Sequence, residues 1–432
     1  MPNVHHGLVS ASLRRSNASA RRDRASVSRG AVALVALAVV LAGCSSTEPE
    51  ASTDAPEQTT LSVGVVGTLT SFNPSTAHGD TAANRAVSAL LDESLGSLDG
   101  NLQVVPNQGL GRITRVEGDP LTVTYEVFPD RTWSDGTPVS VDDLLFGWAV
   151  TSHWFDDATY DAAGEVVTGT RYFDTESPVD DIGRTSRPTV DRTADTLTLT
   201  YDSPFADWNR QWLLDRPVHV VAEKAGVSVD DLMTAIRTLP AGDPAAPASP
   251  DPVLAAAASA WNTGFDIADG SALDLEAAVA AGPWTVAAAT AEEMTLERRD
   301  EYEGEHTPAV DRLVVRFYPD RAAQRDAVEK GEVDVANVGD VTATEIASLE
   351  EAGVDLLIGP TTQTLQLRFA TGTDAAVRQA TALALDRAAI VEDAVHDVRS
   401  NARPLQSFLS SPATGDLYAD LTSGNGAPGT GA

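Results

Sequence analysis

Cysteine is almost missing from this chain: of 432 residues only Cys44 carries a thiol. No disulfide can form within the chain, and no cysteine cluster can hold a metal. Histidine is nearly as sparse. The seven (His5, His6, His78, His153, His219, His306 and His396) are scattered, none stands in H-E-x-x-H spacing, and the first two fall in a leader expected to be removed. Lysine occurs only at Lys224 and Lys330, a coding bias in which arginine supplies the remaining positive charge. Positive charge is short overall, with 63 carboxylates against 30 basic residues and a net charge of -33. That balance excludes nucleic acid, whose phosphates need a basic face, and adhesion of the folded body to anionic lipid. The acidity gives solubility and does not by itself identify a cationic ligand. No apolar run approaches the ~20 residues of a spanning helix. Enzyme signatures are missing too: no G-x-S-x-G elbow, no phosphate-binding P-loop and no G-x-G-x-x-G after a strand. Asp142-Asp143 and Asp180-Asp181 are adjacent carboxylates, which point different ways on a helix and read as caps, not as an acid/base pair. The chain reads as a non-enzyme with no cofactor and no metal.

What is present begins with an export signal. Residues 1–30 are polar and carry six arginines, residues 31–42 are uninterruptedly apolar, and the run closes Leu41-Ala42-Gly43-Cys44. A charged region, a short apolar stretch and small residues before a cut make a secretory leader over residues 1–43. The last four residues resemble a bacterial lipobox, which implies a lipidated Cys44 at the mature N-terminus. Hydrophobic residues do not follow Arg21-Arg22, so the general secretory route is expected. Residues 44–60 lack apolar periodicity and read as a disordered tether. The remaining length suffices for two or three domains.

Leu121, Val123, Tyr125 and Val127 alternate with Thr122, Thr124 and Glu126, the period of a strand with one buried face. Asp135-Gly136 supplies a tight turn and Pro138 blocks a return to the ladder. Ser140, three residues before Asp143, starts a capped helix carrying Leu144, Leu145 and Trp148. Elsewhere the patterns predict strands over Leu61–Val66, Thr196–Tyr201, Val310–Phe317 and Leu365–Phe369. They predict helices from Thr81 to Leu95, over Leu254–Ala260 and over Ala322–Glu329. Trp208 and Trp212, four apart, are expected as a helical core pair and not a cofactor cage.

The strand, Asp-Gly turn and capped helix resemble a signature of the family 5 extracellular solute-binding proteins. Three later blocks resemble the same family: Gly282-Pro283-Trp284 with Leu296 to Tyr302, Gly331-Glu332-Val333-Asp334, and Val377-Arg378-Gln379-Ala380 with Asp386-Arg387. The resemblance covers about residues 61–412. It implies an α/β, two-lobed periplasmic-binding-protein fold of the type II clamshell kind. The expected division is a first lobe over 61–288, with an inserted subdomain near 97–195, and a partial second lobe over 289–432. The implied function is that of a lipid-anchored substrate-binding component of an ABC importer, a monomer at the extracytoplasmic face of the membrane. It would capture a small solute, oligopeptides first, and deliver it to membrane permease subunits. A surface lipoprotein of the same fold acting in envelope assembly or regulation is the alternative. The family's ligand loop falls on Thr68, Leu69, Thr70 and Ser71, with Phe72 and Trp261 as candidate apolar wall; for those two, core packing is the favoured role. In the loop's closing pattern Asn73 stands where the family usually has Asp. Family members continue well past the stretch matching residue 412, so a piece of a longer receptor is expected, with a truncated gene as the alternative. The acidic residue with which the family pairs a peptide's amino terminus has no counterpart here.

Overall fold

A computed structural model of the chain describes residues 10–14, 59–99, 103–116, 118–161, 164–175, 182–267, 274–339, 341–359, 368–395, 402–407 and 410–423. Cys44, nearly all of the tether and most of the strand expected over Leu365–Phe369 lie outside the described residues.

In chain order, β1 (Ser10–Arg14) falls in the segment expected as a leader, and β2 (Thr60–Val66) is the first strand expected from the pattern. α1 (Ala82–Leu91) begins at Thr81, whose hydroxyl accepts the Asn84 amide at 3.1 Å. Ala83, Val87 and Leu91 fall on its buried face, as the 3.6-residue period requires. A small hairpin, β3 (Gly96–Leu98) and β4 (Val104–Pro106), leads to β5 (Gly111–Val116) and β6 (Thr122–Val127). In β6 Val123, Tyr125 and Val127 are buried while Thr122, Thr124 and Glu126 are half-exposed. The turn that follows places Gly136 at φ 88°, and Asp135 Oδ1 accepts the Thr137 amide at 2.9 Å. α2 (Val141–Thr151) then starts from Ser140, whose backbone N–H donates to Asp143 Oδ2 at 2.9 Å. Leu144, Leu145 and Trp148 are buried as expected.

The hairpin β7 (Thr159–Tyr160) and β8 (Val166–Thr168) precedes β9 (Thr189–Asp191) and β10 (Thr196–Thr200). β5, β6, β10 and β9, in that order, make an antiparallel sheet. Trp208 and Trp212 do not share an α-helix. Trp208–Arg210 is a single 3-10 turn, after which the chain extends, and the Trp212 indole caps it by donating to Asn209 O at 3.2 Å. Both indoles are half-buried against the core. Three helices follow: α3 (Val218–Ala225), α4 (Val229–Thr238) and α5 (Pro252–Thr263). α5 exceeds its expected span at both ends, because Asp251 Oδ1 caps it by accepting the Val253 and Leu254 amides.

Then come β11 (Trp284–Ala289), β12 (Glu293–Arg298), β13 (Arg312–Tyr318), α6 (Arg321–Lys330), β14 (Val335–Gly339), α7 (Ala343–Glu351), β15 (Asp355–Gly359), α8 (Ala375–Ala384), α9 (Arg387–Val395) and α10 (Asp416–Thr422). The second sheet has the order β11-β12-β13-β2-β14-β1-β15. β2 is parallel to both β13 and β14, so a strand before residue 288 is built into a sheet with strands after it. The main core lies under α1 to α5 and β11 to β13, and includes Val87, Trp148, Ile236, Trp261, Leu296 and Val315. A smaller one gathers Val328, Val333, Val338, Leu349 and Val354 around α6, β14 and α7. α8 buries no residue.

β1 falls inside the predicted leader, where the pattern gives no strand. It runs antiparallel to both β14 and β15, which do not pair with each other. The physical reason lies in the slot: two strands separated by the width of one more strand present facing N–H and C=O groups that need a ladder partner. Ser10–Arg14 contains neither proline nor glycine and fits between them.

Candidate functional site

The site grows from two charges set inside an apolar run. In Trp212-Leu213-Leu214-Asp215-Arg216-Pro217-Val218, Asp215 and Arg216 stand just before α3, and both turn inward, with side chains 13% and 6% exposed. Arg216 Nη1 donates to Phe72 O at 2.8 Å, and Nη2 donates to the Asp92 carboxylate at the end of α1. Asp215 accepts the Trp261 indole N–H at 2.7 Å and the Ser75 hydroxyl at 3.1 Å. Burial pushes the Asp215 carboxyl up, while Arg216, Trp261 and Ser75 oppose the rise. For Arg216 burial acts downward, but Asp92 and Asp215 beside it win and hold the guanidinium above its ordinary value. The triad is therefore a buried cation held between two acids, bridging α1 to the segment before α3.

These groups form one wall of an open cleft of about 360 Å³. The loop after β2 contributes Pro74 and Ser75, α1 and its C-terminal end contribute Arg85, Ser88, Asp92 and Glu93, and the turn after β6 contributes Trp133. Glu93 is fixed from behind. Its Oε1 accepts the Tyr302 hydroxyl at 2.6 Å and the Asn107 amide at 2.7 Å. Burial and that bond to Glu93 drive the Tyr302 phenol well above its ordinary range. Nearby, Asp143 locks α2 to α3 by accepting the Val218 amide at 3.1 Å, and burial pushes its carboxyl up to about 6. The cleft offers hydroxyls, carboxylates, one exposed guanidinium at Arg85 and apolar patches at Pro74, Ala89 and Leu214. Such a lining suits reversible recognition of a polar solute by hydrogen bonds and charge. Among the described residues no three His, Cys, Asp or Glu side chains converge as a metal site.

The expected ligand loop stands beside this cleft and does not line it. Thr68 and Thr70 are exposed, while Leu69, Ser71 and Phe72 are buried. Asn84 holds the loop: its Oδ1 accepts the Thr70 amide at 2.9 Å and its Nδ2 donates to Thr70 Oγ1 at 3.0 Å. Phe72 and Trp261 pack in the main core, the role favoured for both on sequence. They reach the cleft through polar atoms, the Phe72 carbonyl to Arg216 and the Trp261 indole to Asp215. Asn73 also has a clear task, since Nδ2 donates to Trp261 O at 2.9 Å and Oδ1 accepts the Ser75 amide at 3.2 Å. Sequence reasoning missed Asp92, Asp215 and Arg216. The available signal was the Asp215-Arg216 pair, opposite charges embedded in apolar residues.

The profile of the bacterial extracellular solute-binding proteins, family 5 Middle, matches residues 108–422. An uncharacterized lipoprotein of Mycobacterium leprae (strain TN) is 27% identical over 361 residues, which is 82% of this chain and 58% of that protein. One of Mycobacterium tuberculosis (strain H37Rv) is 25% identical over 368 residues, with the same shares. Among solved structures, the periplasmic EDTA-binding protein EppA aligns with a TM-score of 0.62 at 20% identity, over 84% of this chain and 63% of its own. The mixed α/β architecture is thus that of the periplasmic solute-binding proteins. The chain spans about three fifths of the length of these relatives.

Proposed function

This chain belongs to the bacterial extracellular solute-binding proteins of family 5, and from that premise we propose that it is the substrate-binding component of an ABC importer with oligopeptides as its solute. The cleft beside Asp92 and Arg216 is the observation that carries the reading. Its volume of about 360 Å³ falls in the ~300–1,000 Å³ range of small-molecule sites, and its lining mixes charge, hydroxyl and apolar surface as a peptide does. Capture needs no catalytic group: closure around a bound solute is favoured by whatever contacts only the closed form makes. The Leu-Ala-Gly-Cys sequence and the lipoprotein names of the mycobacterial relatives support anchorage through Cys44. So held, the protein hands its solute to permease subunits in the same membrane.

The test is enrichment of peptides from a random pentapeptide pool on the purified full chain, paired with peptide uptake by cells lacking the gene. Enrichment that weakens in Asp92→Asn, together with lost uptake, supports the proposal. No enrichment and undiminished uptake would overturn it and favour a surface lipoprotein of envelope assembly or regulation.

A further inference from the structure

Arg299 lies just after β12, outside the cleft, yet it is buried to 7% exposure without a carboxylate partner among the described residues. Its guanidinium is spent on the backbone. Nη1 donates to Ala281 O at 3.2 Å and Gly282 O at 2.9 Å. Nη2 donates to Thr132 O and Thr132 Oγ1, both at 3.0 Å, and to Trp133 O at 2.9 Å. Four carbonyls from two segments some 150 residues apart in sequence thus converge on one planar fork.

Each segment ends in a wall of the cleft. Trp133 is itself a lining residue. Gly282 donates its N–H to Leu91 O at 2.9 Å, the last residue of α1, and Asp92 and Glu93 come next. The approach is so close that a Cβ on Gly282 would stand 2.3 Å from that carbonyl. A second tie runs alongside, with Ser134 N–H donating to Ala280 O at 2.9 Å and Ala280 N–H to Ser134 Oγ at 3.2 Å. The path from Arg299 therefore reaches the aromatic wall in one bond and the acidic wall in two.

We infer that Arg299 is a positioning residue that sets the spacing between Trp133 and the Asp92–Glu93 end of α1, and so the width of the solute cleft. Only arginine can do this. A lysine ammonium is a point donor that reaches one pair of carbonyls and leaves the other pair buried without a partner. Burial of the charge pulls the guanidinium's pKa down, countered by Glu301 and Glu93 at longer range, so the carbonyl cage and not an ion pair keeps it in place. For its effect on ligand this inference rests on the proposed function; its effect on the walls stands apart from it.

Two measurements on Arg299→Lys and Arg299→Met in the full chain separate these. In residue-resolved hydrogen exchange, the Trp133, Ser134 and Gly282 amides should lose about tenfold protection in Arg299→Lys, the loss of roughly one hydrogen bond, while α4 and α5 stay as protected as in the parent. Arg299→Met should lose more at the same three amides. Unchanged exchange there, or a rise spread equally through α4 and α5, overturns the inference. In the second measurement, enrichment from the random pentapeptide pool should fall about tenfold in Arg299→Lys, read without denaturant where far-ultraviolet circular dichroism matches the parent, and equal enrichment overturns it. If the parent enriches no peptide, the proposed function fails and the exchange result decides Arg299 alone. If Arg299→Met does not fold, Arg299→Lys carries both measurements.

Discussion

Replacing Asp143 with asparagine and following stability from about pH 4 to about pH 7 isolates one buried proton. Asp143 is 2% exposed. Its Oδ2 accepts the Ser140 amide at 2.9 Å and its Oδ1 the Val218 amide at 3.1 Å, so it ties the first turn of α2 to the start of α3. Burial raises the carboxyl from 3.8 to about 6, against the pull of those two amides, His219 and the Trp133 indole. In the unfolded chain the same carboxyl ionises near pH 4. Between about pH 4 and pH 6 the folded protein therefore keeps a proton that the unfolded chain has lost. The stability this proton contributes is complete below the unfolded value and is lost as pH rises through about 6. A shift of just over two units, at 1.36 kcal/mol per unit, amounts to about 3 kcal/mol. Asparagine cannot ionise, so the stability of the parent minus that of Asp143→Asn should fall by about 3 kcal/mol across the interval. Taking the difference removes the other titrating groups, among them Asp195 and Asp215, also raised, and Asp135 and Glu345, which are lowered. Urea titrations read by far-ultraviolet circular dichroism at half-unit steps give the curve. A difference that stays flat, or moves the other way, refutes the assignment of a raised carboxyl to α2.

Arg216→Met should cost about 3–5 kcal/mol, because Asp92 and Asp215 would then face each other with no cation between them; urea unfolding within about 1 kcal/mol of the parent would show that the triad is not coupled. Asn73→Asp exchanges a donated bond to Trp261 O for a carboxylate facing that carbonyl. The expected loss is about 2 kcal/mol at neutral pH, shrinking in acid as the carboxyl protonates, and a pH-independent midpoint would contradict it. Gly147→Ala, a change that stabilises an ordinary helix interior by roughly 0.5–1 kcal/mol, should here destabilise by at least about 2 kcal/mol. The added Cβ would stand 1.7 Å from Leu213 O, and a raised melting temperature would contradict the close packing of α2.

Local chemistry carried most of what the sequence disclosed. The alternation in Thr122–Val127, the Asp135-Gly136 turn and the Ser140–Asp143 start of α2 each depend on a handful of neighbouring residues, and all three stand where the pattern put them. The same holds for the start of α1 at Thr81, although that helix ends at Leu91 with Asp92 extended instead of running to Leu95, and for α6, where Asp320 Oδ1 caps the helix through the Ala323 amide. Trp208 and Trp212 misled because a spacing of four suits a helix, whereas the chain there makes one 3-10 turn and extends. The cleft was less legible, for a geometric reason. Arg216 meets Asp92 across 124 residues and Ser75 meets Asp215 across 140. No periodicity encodes such meetings, which exist only once α1, the turn after β6 and the approach to α3 have packed together. Family resemblance directed attention to Thr68–Phe72, and the polar centre lies one contact further in, at the partners of the Phe72 carbonyl and the Trp261 indole.

β15 has a single strand neighbour among the described residues, and that neighbour is β1, in the segment expected as a leader. A cut ahead of Cys44 would therefore remove a strand of the sheet. It would open one edge of β14 and leave β15, already the edge strand, without its strand neighbour among the described residues, with Leu356 packed against the small core. A form lacking residues 1–43 would therefore differ in sheet topology as well as in length. A preparation that keeps its first 43 residues has β1 between β14 and β15, while a trimmed one would leave a gap one strand wide there, of the kind an extended segment of about five residues fills by strand addition.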